Sequence, residues 1–143
     1  MERFTIAFSR FPDTRGPDAV EKAVETFARL SARMTTLMEP VDVLLLPTTP
    51  TPAPRLGTML PDRPYEEIAR GIYDFVSYTA MANIFGLPAM SVPRGTSADG
   101  LPIASQFVAK PEAEALLFRL AYELEVARPW ASRRAADHLT SAG

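Results

Sequence analysis

The chain has 143 residues, enough for one compact domain with a single hydrophobic core and short of two. Apolar residues make up 47% and charged residues 22%, a balance that excludes intrinsic disorder and collagen-like or coiled-coil architectures. A formal net charge of −2 gives no electrostatic footprint for nucleic acid or an anionic membrane, so neither is expected as a partner. With no cysteine there is no disulfide framework, thiolate nucleophile or thiolate zinc site. No apolar run exceeds the four residues of Val43 to Leu46, whereas a membrane span needs about 20. The segment Met1 to Phe8 lacks the apolar stretch of an export signal, which leaves the cytoplasm as the default expectation.

From Asp18 to about Met38, Val20, Ala23, Val24, Phe27, Leu30, Met34, Leu37 and Met38 recur at the three-and-four spacing of an α-helix, with Pro17 suited to its entry. Glu39-Pro40 ends that helix, because the residue before proline is pushed out of the α region. The run Val41 to Leu46 then predicts a strand buried on both faces, of the kind found in sheets covered by helices on either side, hence an α/β layer architecture. Of the 14 prolines, six lie between Pro47 and Pro64, and they hold Thr48 to Pro54 extended. Such a segment either lines a pocket or serves as a polyproline-like connector.

Tyr65, Ile68, Ala69, Ile72, Phe75, Val76, Thr79 and Ala80 share one helical face, predicting a single helix from about Tyr65 to Ile84 that stops at Gly86. Leu87 to Pro93 and Ile103 to Val108 read as short strands, paired as a hairpin through a loop of roughly ten residues around Asp99-Gly100. Pro111, Glu112 and Glu114 open a last helix with Leu116, Leu117, Leu120, Ala121 and Leu124 in one stripe, closed by Arg128-Pro129. Residues 1–134 are expected to form the folded part, and residues 135–143, rich in Ala, Ser and Thr, a flexible tail.

Few residues suggest chemistry. His138, the one histidine, lies in the expected tail, a poor place for a general base that must be held against its partner. Lys22 and Lys110 read as hydrated surface charges, since a lysine base must be desolvated. Glu66-Glu67, Glu123 and Glu125 read as solvated helix faces. Asn83 and Gln106 stand within apolar surroundings, where an amide must be hydrogen-bonded, and are expected to be structural tethers. There is no glycine-rich nucleotide loop, no Walker loop and no Gly-x-Ser-x-Gly elbow.

The order of three segments carries more. Val41-Asp42-Val43-Leu44-Leu45-Leu46-Pro47-Thr48-Thr49-Pro50 is followed by Ala82-Asn83-Ile84-Phe85-Gly86-Leu87-Pro88-Ala89-Met90-Ser91-Val92-Pro93. Then come Asp99-Gly100-Leu101-Pro102-Ile103-Ala104-Ser105-Gln106-Phe107-Val108 and a glutamate-bearing helix ending near Arg128-Pro129-Trp130. Over residues 20–134 this succession resembles the C-terminal part of amidase signature enzymes.

The resemblance implies a partial amidase-signature fold, α/β with a short mixed sheet flanked by helices, and hydrolysis of carbon–nitrogen amide bonds. It also implies a serine nucleophile, a second serine in a cis peptide, a lysine base and an oxyanion-binding loop. Those elements belong to the family's earlier portion, and this sequence has no adjacent serines and no lysine in the corresponding motif. No catalytic residue is therefore assigned, and no cofactor-binding or metal-ligating residue. What transfers is scaffold: Pro47, Thr48 and Thr49; Asn83, Gly86, Leu87 and Pro88; Gly100, Leu101 and Pro102 with Gln106. The isolated chain is expected to be inactive. Its expected partner is an N-terminal amidase portion or a second copy of itself, the small amide substrate belonging to the complete enzyme. The alternative is a non-catalytic scaffold or interaction protein derived from an amidase. The motifs are shared by general amidases and the subunit that amidates misacylated transfer RNA, and do not separate them.

Overall fold

The computed structural model describes residues 17–58, 62 and 64–132. Its elements run α1 (Ala19–Met38), β1 (Val43–Pro47), α2 (Tyr65–Val76), α3 (Thr79–Phe85), β2 (Ala89–Thr96), β3 (Pro102–Ala109) and α4 (Glu114–Ala127). The tail at 135–143 and His138 lie outside the described residues.

The three strands form one sheet in the order β1-β3-β2. Both pairings are antiparallel. Residues opposite one another share a face, and faces alternate along each strand. Leu44 opposite Val108 and Leu46 opposite Gln106 therefore point one way, and Val43 opposite Ala109 points the other. On the first face Met34 and Met38 of α1 and Met81 and Ala82 of α3 bury Val108, with Leu44, Leu46, Phe85 and Leu87 packed around them. Complete burial of a valine side chain contributes about 1.5–3 kcal/mol, so this cluster anchors both helices to the sheet. α4 lies on the second face, where Leu116 and Leu120 border a groove with Val43, and where Val92, Ala109 and Leu117 are buried. Helices thus flank the sheet on both sides, as an α/β layering requires.

Three local expectations need correction. β1 is not buried on both faces: Leu45 is 60% exposed, because α4 sits over β3 and β2 and leaves the outer side of this edge strand open. The predicted helix from Tyr65 to Ile84 is two helices, separated at Ser77-Tyr78. There the Ser77 hydroxyl donates to the Tyr73 and Asp74 carbonyls at 2.9 and 2.8 Å, competing with the backbone for the helix's own acceptors. The hairpin loop is shorter than the roughly ten residues expected, because a bulge between Pro93 and Gly95 lets β2 continue to Thr96. Gly100, with φ of 80°, and the Ser97 hydroxyl, which accepts from the Leu101 N–H at 3.1 Å, close what remains.

α3 ends as the sequence predicts. Gly86 adopts φ of 62°, its N–H reaches the Asn83 carbonyl, and the Leu87 N–H reaches the Ala82 carbonyl at 3.0 Å, the paired bonds of a Schellman turn. That turn directs Leu87 back onto the core and starts β2 beside β3.

Candidate functional site

Of the transferred scaffold residues, Pro47 and Thr48 lie with Gln106 toward the far end of the first sheet face, whereas Leu87 and Pro88 enter β2 at the other end, opposite Val108 and Ala109, and Gly100, Leu101 and Pro102 belong to the β2–β3 connection. β1 breaks at Pro47, and the Thr48 N–H extends the ladder by one bond to the Ala104 carbonyl at 3.2 Å. This orients the Thr48 side chain across β3, where its hydroxyl shares a 2.7 Å hydrogen bond with the Ser91 hydroxyl of β2. Thr49 turns its hydroxyl onto the Thr51 carbonyl at 2.8 Å and fixes the first bend of the proline-rich segment.

Gln106 is register partner to both Leu46 and Ser91, so its side chain rises from the same face. It is 3% exposed, its Nε2 donates to the Tyr78 carbonyl at 3.4 Å, and its Oε1 has no partner among the described residues. A buried, half-satisfied amide beside a hydroxyl pair is the most polar feature of an otherwise apolar layer. Gln106 thus ties β3 to the α2–α3 junction, as a tether should. Asn83 does not share that role: its side chain is exposed, and its carbonyl serves the Gly86 turn. It lies on the side of α3 away from the core, a facing that its apolar sequence neighbours do not reveal.

The candidate bases stand apart from this cluster. Lys22 is exposed on α1. Lys110 is half-buried and donates from Nζ to the Glu39 carbonyl at 3.1 Å, so it caps the C-terminal end of α1 from the turn after β3. A cation there interacts favourably with the helix dipole. Its sequence position before Pro111 gave no sign of this contact, made 71 residues back along the chain. Glu66 and Glu67 are exposed at the start of α2. Glu123 is exposed and lies 3.8 Å from Arg119, while Glu125 is half-buried. Among the described residues, serine hydroxyls bond to a threonine hydroxyl and to backbone groups; none meets a lysine or histidine nitrogen. No group of three or more potential metal ligands occurs among them.

Two surface grooves of about 480 Å³ lie among the described residues. One is lined by Arg94, Gly95, Thr96, Ile103 and Arg128; the other lies between the start of β1 and α4, with Val41, Val43, Leu116 and Leu120 as its apolar lining.

The sequence model described as Amidase matches residues 2–118. The chain belongs to the amidase family. Among its amidase relatives is AmiC of Mycobacterium leprae (strain TN), provisionally designated an amidase, 35% identical over 137 residues. That match takes in 96% of this chain and 29% of the relative. The solved 6-aminohexanoate cyclic dimer hydrolase, determined with its substrate, superposes with a TM-score of 0.76 at 32% identity, over 83% of this chain and 26% of its own. The glutamyl-tRNA(Gln) amidotransferase polypeptide of Thermotoga maritima superposes with a TM-score of 0.60 at 29% identity, over 78% of this chain and 23% of its own. The chain therefore spans less than a third of the length of these amidase relatives, consistent with the C-terminal segment that its motifs resemble.

Proposed function

We propose that this chain supplies part of the sheet and one wall of the substrate cleft of an enzyme that hydrolyses carbon–nitrogen amide bonds. The reacting groups come from polypeptide outside these 143 residues. The observation that carries this reading is the close superposition on 6-aminohexanoate cyclic dimer hydrolase over only 26% of that chain. It is joined by a site in which, among the described residues, hydroxyls and an amide meet without a lysine or histidine nitrogen. Thr48, Ser91 and Gln106 can accept from and donate to an amide substrate or the strand that holds it. They cannot generate a nucleophile, which needs an adjacent base or a depressed pKa. On this reading the 143-residue chain is inactive alone.

An independent scaffold is the weaker alternative, because only ten of the described residues are buried. The test is co-expression with the remainder of an amidase such as the Mycobacterium leprae relative, followed by assay on simple aliphatic and aromatic amides. Ammonia release by the pair, absent from either piece, supports the reading. A stable complex without hydrolysis counts against it.

A further inference from the structure

α4 is apolar on two opposite sides. At about 100° of turn per residue, Leu116, Leu117, Leu120 and Leu124 share the side turned to the sheet, and Leu117 is buried there. Ala115, Phe118, Tyr122 and Val126, spaced by three, four and four, share the side diametrically away from it. Phe118 is 63% exposed, Tyr122 68% and Val126 83%. A surface helix needs only the first stripe to hold it to its domain.

The layering decides what kind of body can reach the second stripe. α1 and α3 cover one face of the sheet and α4 the other, so the described fold already has three layers. A helix added beside α4 in its own layer meets its flanks, and a domain of two or three layers has no fourth to lay over its outer side. Two exposed aromatics rimmed by charge have instead the anatomy of an interface between molecules.

The charges on the flanks select the occupant. Independently of the function proposed above, we infer that the outer face of α4 binds a second copy of this chain, as an antiparallel helix pair centred on Tyr122. On the flank nearer β1 stand Arg119 and Glu123, exposed and 3.8 Å apart, with Asp42 on the same groove. On the other stand Glu114, the half-buried Glu125 and, one residue past the helix, Arg128. A two-fold axis at Tyr122 sets Phe118 against Val126 of the second copy and brings like flanks together. At a rise of 1.5 Å per residue, Arg119 then comes within about 3 Å of the level of the other Glu123, and Glu114 within about 3 Å of the level of the other Arg128. Symmetry makes each of these pairs twice. Glu125 and its counterpart stay about 9 Å apart along the axis, roughly a Debye length. Parallel pairing joins opposite flanks instead and sets Glu123 beside Glu125, a like-charge contact. The stripe and its charged rim expose on the order of 600 Å² a copy, taking about 200 Å² for a whole aromatic side chain, which reaches the roughly 1,200 Å² total of a stable interface.

The test is sedimentation equilibrium of the 143-residue chain, which is expected to give a dimer at micromolar concentration. Tyr122→Asp, on the outer side of α4 and clear of the core, gives a monomer with an unchanged circular dichroism spectrum. Arg119→Glu and Glu123→Arg each raise the dissociation constant by about tenfold or more, because symmetry turns two ion pairs into two like-charge contacts, and an equal mixture of the two variants restores the dimer. The chain has no cysteine, so single introduced cysteines report the register. Tyr122→Cys forms a disulfide-linked dimer in air. Phe118→Cys does not link to itself, its two copies lying about 12 Å apart along the axis, but links to Val126→Cys. The inference is overturned if the chain is monomeric at every concentration up to about 100 μM. It is equally overturned if the assembly, of whatever size, survives Tyr122→Asp, if the mixed charge variants associate no more tightly than either alone, or if Phe118→Cys links to itself.

Discussion

Replacing Gln106 with methionine separates a residue kept for stability from one kept for a partner. The two side chains have similar volume, so packing against Val108 and the α2–α3 junction is preserved. The substitution removes one long hydrogen bond, Nε2 to the Tyr78 carbonyl at 3.4 Å, whose loss costs about 0.5–1.5 kcal/mol. It also removes a buried carbonyl, Oε1, that has no partner among the described residues, and leaving such a group unsatisfied costs about 1–3 kcal/mol. The second term is the larger, so Gln106→Met is expected to leave the isolated chain unchanged or stabilise it by about 1 kcal/mol. Urea unfolding followed by circular dichroism reads this as an equal or higher midpoint at constant slope. A loss of more than about 1 kcal/mol refutes the reasoning, because it means that Oε1 is satisfied within this chain.

Val108→Ala deletes two methyl groups from the one large side chain that is completely enclosed among the described residues. It is expected to cost about 2–3 kcal/mol in the same experiment, transfer and cavity terms together. Gly86→Ala meets no atom within 4 Å but forces a side chain into φ of 62°. The expected loss is about 1–2 kcal/mol, with Gly86→Asn losing less because asparagine tolerates the left-handed region; thermal melts of the two variants rank them. Lys110→Met removes the contact to the Glu39 carbonyl and is expected to cost about 0.5–1 kcal/mol. It should also increase hydrogen exchange in the last turn of α1.

Where the sequence was legible, the reason is local. The stripes of α1 and α4, the stop at Gly86 and the paired strands around Asp99-Gly100 follow from periodicity and turn chemistry within a few residues. The kink at Ser77 was not legible, because the apolar stripe runs through it undisturbed while a single hydroxyl diverts the backbone acceptors. Nor could composition tell that Leu45 is open on one side; that depends on where α4 comes to rest. The candidate site divides along the same line. Thr48 and Gln106 stood out in the motifs, but Ser91, 43 residues from Thr48, joined them only when β3 brought β1 and β2 together. Lys110 was read as a surface charge and proved to hold a helix end, a long-range contact that no spacing encodes. The family itself was legible because the order of its turns and prolines survives in sequence.

The most direct measurement is ammonia release by the purified 143-residue chain on hexanamide and benzamide, against a heat-inactivated control. The account predicts no release above that control at any enzyme concentration. Turnover that scales with enzyme and vanishes on replacing Lys110 or Ser91 contradicts it, because these side chains would then be acting as reacting groups.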